Sequence, residues 1–384
     1  MPSSLAQKLF SRTMVKATQL TGMGKLLDAT RLIQRTLFSA QPDATLDQRP
    51  ATRRESNPAA NDPQADKAQP SVIILPAPSR NEPSPATPPG RQASRAASFT
   101  KHQFVFKGDT YPYRLFIPSA PALDSSAASA MPLIVLLHGC KQDALDFSHG
   151  TAMNSLAETH QAMVLYPEQI TSANAMRCWN WFEPGHQQAE RGEPGMIAAL
   201  TQKILQKHDG DPQRVYIAGL SAGGAMAAVV SGLYPGIFAA VGVHSGLAAG
   251  AAQDVMSAFG AMRSGAKGRS SPVIPTIVFH GSADKTVHPD NGDHIIDAAL
   301  AAINDSGLKL VKTQSVGGQN GEEKTERVVY SSSDGKPYIE NWRIDDGPHA
   351  WSGGDAAGSY TDPDGPSASA AMLAFFLQHR LRPA

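Results

Sequence analysis

A short apolar run, Val215-Tyr216-Ile217-Ala218, leads directly into Gly219-Leu220-Ser221-Ala222-Gly223, which opens an alanine-rich helical pattern. This order predicts a buried strand, a tight turn and a helix over Ala222–Leu233. A serine on such a turn has strained backbone and projects its hydroxyl from the edge of the sheet, beside free helix N–H groups. The alternative is a serine that only caps the helix. The preceding strand and the small flanking residues favour the first interpretation, with Ser221 as a nucleophile.

From Phe99 onward, short apolar runs alternate with helical patterns, which is typical of a mostly parallel sheet covered by helices on both faces. Together with the serine turn, this alternation predicts an α/β-hydrolase fold. The expected strands are Tyr113–Ile117, Leu133–Leu137, Met163–Tyr166, Val215–Ala218, Ala239–His244 and Thr276–Phe279, with a hairpin over Glu326–Ile344 that turns at Ser333-Asp334-Gly335. The other expected helices are Thr151–His160, Glu193–His208, Asp290–Ile303 and Ser367–Leu381.

The first hundred residues differ in composition from the rest. Residues 1–40 place apolar side chains at roughly helical spacing, with Lys8, Arg12, Lys16, Lys25, Arg31 and Arg35 between them and one acid, Asp28. Such a basic amphipathic segment can bind an anionic or hydrophobic surface, or pack on its own protein or on a second subunit. Residues 41–98 are rich in Pro and Ala, which predicts a disordered linker. Residues 99–384 then form the catalytic domain.

Composition limits the classes of partner. The chain has 384 residues, 41% of them hydrophobic, and no net charge, so it has the material for a core and no global sign of nucleic-acid binding. It has no apolar run of about 18 residues or more, so no transmembrane segment is expected. Lys8, Arg12 and Lys16 interrupt every apolar stretch before Leu20, which leaves no export signal and favours a cytoplasmic location.

A serine nucleophile needs a base, and in this fold the chain order is serine, acid, histidine. Six histidines follow Ser221: His244, His280, His288, His294, His349 and His379. His244 and His280 end strands, where they can support the site from a second layer, and His294 and His379 fall on predicted helices. His349 lies in a loop before the last helix. Because such loops carry the chemistry of this architecture, we predict His349 as the base.

The acid should follow the next-to-last core strand, which ends near Phe279. The next loop contains Asp284, whereas Asp290 and Asp293 begin the following helix, where acids commonly serve the helix dipole. We therefore predict that Asp284 orients the imidazole. The oxyanion hole requires two backbone N–H groups, one directly after the nucleophile and one from the loop after an early strand. These are assigned to Ala222 and Cys140. The reaction needs no cofactor, and no cluster of metal-binding residues or phosphate-binding glycine loop is evident.

Several motifs together resemble the poly(3-hydroxybutyrate) depolymerase family of esterases. They are Leu137-His138-Gly139-Cys140-Lys141-Gln142, Tyr166-Pro167-Glu168-Gln169, Arg177-Cys178-Trp179-Asn180-Trp181-Phe182, Gly219 to Gly224, His280 to Pro289 and His349-Ala350-Trp351-Ser352-Gly353-Gly354. The resemblance spans roughly residues 100–384. It implies catalytic roles for Ser221, Asp284 and His349. It also implies a Cys140–Cys178 disulfide, and a substrate cleft lined by Trp179 to Phe182.

The spacing after the sixth core strand bears on the substrate. About thirty residues separate His244 from Thr276, and an expected helix over Asp254–Met262 uses several of them, so a lid domain does not fit. An uncapped site can accept a polymeric or surface-borne ester. Trp179, Trp181 and Trp351 would give that cleft apolar walls. Core packing is the alternative role for the Trp179 and Trp181 pair.

These observations predict a serine esterase that acts on short-chain hydroxyalkanoate esters, including poly- or oligo(3-hydroxybutyrate), with a polymer granule surface as partner of the basic N-terminal segment. A carboxylesterase for acetylated or feruloylated carbohydrate is the second hypothesis, and a non-catalytic surface protein with an esterase fold is the third. The resemblance also leaves an extracellular location as the alternative to a cytoplasmic or granule-bound one.

Overall fold

The computed structural model describes residues 96–119, 130–270, 272–317 and 325–381. The segment predicted at 1–40 lies outside these residues, as does the linker predicted at 41–98 except for its last three positions. Among the described residues, none of the helices combines the length and apolar character that a bilayer crossing requires. The described residues all belong to one compact unit.

Ten strands form one sheet in the order β1-β2-β4-β3-β5-β6-β7-β10-β9-β8. Their bounds are β1 (Ser98–Phe106), β2 (Asp109–Ile117), β3 (Leu133–Leu137), β4 (Met163–Pro167), β5 (Val215–Leu220), β6 (Ala240–His244), β7 (Thr276–Gly281), β8 (Val311–Gly317), β9 (Thr325–Ser331) and β10 (Pro337–Ile344). Six adjacent strands pair in parallel: β4, β3, β5, β6, β7 and β10. At one end of the sheet β1 and β2 pair antiparallel with their neighbours, and at the other end β9 and β8 do the same. Two short strands, β11 (Trp351–Ser352) and β12 (Thr361–Asp362), form a separate parallel pair.

The helices are α1 (Ala144–Thr151), α2 (Met153–Thr159), α3 (Gly192–Lys207), α4 (Ala222–Leu233), α5 (Val255–Ser264), α6 (Asp290–Asp305) and α7 (Ala368–Phe376). Two neighbouring residues of β6 show that both faces of the sheet are covered. A Cβ atom added to Gly242 would press against Met372 and Phe376 of α7, whereas the side chain of Val243 lies against Gly224 of α4. Successive residues of a strand point to opposite faces, so α4 and α7 lie on opposite sides.

The parallel strands are built from sequences that suit burial on both faces. Every residue of β3, β4, β5, β6 and β7 is buried. Because helices cover both faces, these strands read as continuous apolar runs, and this pattern made them predictable. All six predicted core strands are present, and the hairpin of β9 and β10 turns through Ser332–Lys336 around Gly335.

The predicted helix at Thr151–His160 is instead two helices. Asp143 caps α1 by accepting hydrogen bonds from the amides of Leu145 and Asp146, so that helix begins seven residues before the predicted start. Ala152 then takes a left-handed conformation with φ of 50° and separates α1 from α2. The last helix ends at Phe376, five residues short of the prediction.

The connection between β6 and β7 contains a single helix, α5, and only residue 271 of it lies outside the described residues. Asp254 caps this helix through a reciprocal pair of hydrogen bonds with Ser257. The segment is too short to hold a lid domain, as its length in the sequence predicted.

Candidate active site

Ser221 occupies a strained turn between β5 and α4. Its backbone angles are φ 57° and ψ −120°, a region that L-residues rarely adopt. A Cβ atom on Gly223 would collide with the carbonyl oxygens of Leu137 and His138, and one on Gly219 would collide with the backbone of Gly223. The glycines on either side of the serine are therefore required by close packing of this turn against the end of β3.

A short hydrogen bond joins the predicted base and acid. His349 Nδ1 donates to Asp284 Oδ2 at 2.7 Å, and the Asp284 side chain is fully buried. The other carboxylate oxygen, Oδ1, accepts hydrogen bonds from the amides of Thr286 and Val287 at 2.8 and 2.9 Å. Because a carboxylate can only accept, the proton must reside on Nδ1 of His349, which leaves Nε2 free to act as a base.

The charge of Asp284 is maintained by its surroundings. Burial alone would raise the pKa of Asp284, but hydrogen bonds from His280 and His349 outweigh it and hold the pKa well below its usual value. His280 Nε2 lies 2.9 Å from the Val287 carbonyl oxygen and 3.4 Å from Asp284 Oδ2, so His349, at 2.7 Å, is the geometrically stronger of the two partners. Asp284 therefore remains ionised beside the base.

The loops that carry these residues leave the same edge of the sheet. Ser221 follows β5, Asp284 follows β7 and His349 follows β10, and these strands run in parallel with β6 between the first two. The loops after β7 and β10 are also joined directly, since the Ala283 amide donates to the Gly347 carbonyl at 3.1 Å. Among the described residues, Ser221 Oγ has no hydrogen-bond partner, so proton transfer from Ser221 to His349 stays a prediction.

The backbone after β3 lies beside the serine turn. Leu137 pairs with Gly219, so the predicted oxyanion donors Cys140 and Ala222 each stand three residues beyond a paired position. Of the amides from 139 to 142, three are satisfied within the protein: Gly139 donates to Gln142 Oε1, Lys141 to the Met176 carbonyl and Gln142 to the Gly139 carbonyl. Among the hydrogen bonds of the described residues, the amides of Cys140 and Ala222 donate to no protein group. Free amides at these positions are what an oxyanion hole needs.

Cys140 and Cys178 form a disulfide, as the family resemblance implied. The bond closes a loop of 38 residues in sequence separation and fastens the segment after β3 to the segment before Trp179. The sulfur of Cys140 is consequently not available as a nucleophile.

The prediction that three tryptophans wall the substrate cleft needs correction. Trp179 is 0% exposed, and its indole N–H donates to the His138 carbonyl at 3.1 Å. Trp351 is 1% exposed and packs edge-on against Phe147 in the main core. Trp181 is 4% exposed. Trp179 and Trp351 each have an internal acceptor for the indole N–H, the His138 carbonyl and the Ser369 hydroxyl respectively, which makes burial of these large rings favourable.

Of the other candidate base and acid residues, His244 and Asp293 have partners of their own. His244 is fully buried between Phe279 and Trp351, and its Nε2 accepts the Ser352 amide at 3.0 Å. Burial lowers the pKa of His244 to about 3, so its ring is neutral. Asp293 pairs with Arg343, and Asp290 is an exposed carboxylate near His288.

Two buried polar residues beside the site were not assigned roles from sequence. Gln142 is 1% exposed, and its carboxamide binds Gly139, Asp146 and Ser359. Glu193 is also 1% exposed and accepts hydrogen bonds from the backbone and side chain of Asn180 at 2.7 Å and from Gln169. Gln142 stands inside a motif that carries the family resemblance, but one of its partners, Ser359, lies 217 residues away, so only the fold reveals that contact.

The fold and the serine turn define an α/β-hydrolase. The family model described as Esterase PHB depolymerase matches residues 111–307, just over half of the chain, and the chain belongs to this family of esterases.

Individual relatives agree with this assignment. The chain is 32% identical over 230 residues to poly(3-hydroxyalkanoate) depolymerase C of Paucimonas lemoignei, covering 56% of this chain and 53% of that protein. It is 35% identical over 128 residues to feruloyl esterase B of Thermothelomyces thermophilus, covering 33% and 43% respectively. It thus spans about half the length of these relatives. The solved acetyl xylan esterase from Aspergillus awamori shares the fold, with a TM-score of 0.54 and 18% identity over 73% of this chain and 99% of that one.

Proposed function

We propose that the protein is a serine esterase in which Ser221 is the nucleophile, His349 the general base and Asp284 the acid that orients it. The observation that carries this proposal is the 2.7 Å hydrogen bond between His349 and Asp284, at the same edge of the sheet as a serine on a strained turn. The bond fixes the tautomer of His349 with Nε2 unprotonated, which is the form that can accept the serine proton.

The proposed reaction is acyl transfer in two steps. Ser221 Oγ gives its proton to His349 Nε2 and attacks the ester carbonyl, while the amides of Cys140 and Ala222 hold the oxyanion. The carbon–oxygen bond to the alcohol then breaks, and the alcohol leaves with the proton from His349. Water, activated by the same imidazole, attacks the acyl-enzyme, releases the acid and restores the serine.

For the substrate we propose esters of short-chain hydroxyalkanoates, including poly- or oligo(3-hydroxybutyrate). Membership of the depolymerase family and the similarity to a poly(3-hydroxyalkanoate) depolymerase support this class. The short connection between β6 and β7 supports it as well, since a site without a lid domain can meet a polymer chain. In this proposal the basic segment at 1–40 contacts the polymer granule.

A second candidate is hydrolysis of acetylated or feruloylated carbohydrate. It is favoured by the 35% identity to a feruloyl esterase over 128 residues, with the fold similarity to an acetyl xylan esterase as background. The triad would be the same, so only the groups that bind the acyl and alcohol portions of the substrate differ.

A substrate panel tests both candidates. The wild-type chain and Ser221→Ala are assayed on hydroxybutyrate oligomers, amorphous poly(3-hydroxybutyrate) granules, acetylated xylan and methyl ferulate. The primary proposal predicts the highest kcat/KM on the oligomers and no turnover of any substrate by Ser221→Ala. A higher kcat/KM on a carbohydrate ester would select the second candidate, and full activity of Ser221→Ala would refute both.

A further inference from the structure

Gln142 ends the loop that contains the proposed oxyanion donor Cys140. Its side chain is buried, and each of its polar atoms is used. Oε1 accepts the Gly139 amide at 2.9 Å, and Nε2 donates to the Ser359 carbonyl at 2.9 Å and to Asp146 Oδ2 at 3.0 Å. These bonds leave the carboxamide a single orientation, because exchanging its oxygen and nitrogen would set donor against donor and acceptor against acceptor.

The bond from Gly139 to Gln142 bears directly on the neighbouring peptide. The Gly139 carbonyl is also held, by His138 Nδ1 at 2.8 Å and by the Gln142 amide at 3.3 Å. The peptide that contains the Cys140 amide is the one whose carbonyl belongs to Gly139, so fixing this carbonyl and the preceding amide fixes the direction of the Cys140 N–H. The disulfide restrains the Cys140 side chain, whereas Gln142 restrains its backbone.

The side-chain nitrogen of Gln142 donates to the segment that follows His349. Ser359 is held by Asp146, through its amide at 2.8 Å and its hydroxyl at 2.6 Å. The next residue, Tyr360, accepts the Trp351 amide at 2.7 Å, two positions beyond His349. Gln142 therefore joins the proposed oxyanion loop to the segment that carries the proposed base.

We propose that Gln142 is a positioning residue that aims the Cys140 amide at the developing oxyanion and keeps the oxyanion loop in register with the His349 segment. The inference rests on the proposed function of Ser221. Gln142 acts through Gly139 and Ser359 and does not itself contact substrate. An oxyanion hole stabilises mainly the transition state, so loss of the Gln142 hydrogen bonds lowers kcat while KM changes little.

The test compares Gln142→Met with Gln161→Met, assayed on a soluble hydroxybutyrate ester and on the matching thionoester. Gln161 is a half-buried glutamine two residues after the end of α2 whose Nε2 donates to the Glu158 carbonyl at 3.0 Å, so its replacement also removes a hydrogen bond, away from the site. In the thionoester, sulfur replaces the carbonyl oxygen and fits the two amide donors poorly.

For Gln142→Met we expect kcat on the ester to fall about 10- to 100-fold with KM within about twofold, less than complete loss of an oxyanion donor. The ester-to-thionoester rate ratio should fall about tenfold, because the misaligned hole no longer favours oxygen. Gln161→Met should leave both quantities unchanged. The rate ratio does not depend on how much of a variant is folded, so it separates positioning from loss of stability.

An unchanged rate ratio for Gln142→Met would overturn the inference, even if kcat falls. If that variant does not fold, the ratio is measured on Gln142→Asn, which keeps the carboxamide but is one methylene too short to bind Gly139 and Ser359 together, and a decrease in the same direction is expected. Failure of the proposed function has a different signature, since Ser221→Ala would then hydrolyse the ester. An unchanged ratio together with an inactive Ser221→Ala rejects the role of Gln142 alone.

Discussion

Replacing Asp284 by Asn should nearly abolish turnover because it reverses the tautomer of His349. Oδ1 of Asp284 accepts two amides, from Thr286 and Val287, so the oxygen of the new carboxamide must occupy that position. Its NH₂ group then faces His349 Nδ1 at the present 2.7 Å contact. His349 can accept this donor only with its own proton on Nε2, the atom that must take the proton of Ser221.

The expected loss in kcat is about 10⁴-fold, equivalent to about 5 kcal/mol of transition-state stabilisation. The assay is steady-state hydrolysis of a soluble short-chain ester, with circular dichroism to confirm the fold. The matched control is Asp290→Asn, because Asp290 is an exposed carboxylate near His288 and lies only six residues further on. A folded Asp284→Asn variant that loses less than tenfold would refute the assigned role and direct attention to another carboxylate.

Three further predictions concern stability and the N-terminal segment. Ser221 has φ of 57°, a conformation that glycine adopts without strain, so Ser221→Gly should be about 1 kcal/mol more stable than Ser221→Ala. Both variants should be inactive, and the Tm of the glycine variant should be about 2 °C higher. Equal Tm values would contradict strain at the turn. Burial lowers the pKa of His138 to about 4 and the pKa values of His244 and His379 to about 3, below the unfolded value. The free energy of unfolding should therefore fall by about 2 kcal/mol for each ring as the pH drops from 7 to 5. Urea unfolding that gives the same free energy at both pH values would be inconsistent with neutral buried rings. Deleting residues 1–40 should abolish sedimentation with poly(3-hydroxybutyrate) granules while sparing hydrolysis of a soluble ester, and undiminished sedimentation would reject that segment as the granule anchor.

The central strands and the serine turn were predictable because local sequence determines them. β3 and β5 are continuous apolar runs, as required of strands buried on both faces. The close contact between Gly219 and Gly223 lies within one strand–turn–helix unit, although Gly223 also packs against the end of β3. The positions of Asp284 and His349 followed from the chain order and from the loops after successive strands.

The missed features depend on contacts that the sequence does not display. β8 is an edge strand whose described side chains, residues 311–316, are all exposed, so it lacks the apolar alternation that identifies a strand. The aromatic residues Trp179 and Trp351 suggested a cleft, but each finds an internal acceptor, the His138 carbonyl and the Ser369 hydroxyl respectively. The hydrogen bond from Gln142 to Ser359 joins residues 217 positions apart. Such pairings become evident only after the chain has folded.

Covalent labelling tests the central claim most directly. The wild-type protein is treated with an aryl alkylphosphonate, which reacts with an activated serine, and the modified peptide is located by mass spectrometry. The proposed mechanism predicts one adduct per chain, on Ser221, together with complete loss of esterase activity, and much slower labelling of His349→Ala. An adduct on a different residue, or full activity in protein whose Ser221 is quantitatively modified, would contradict it.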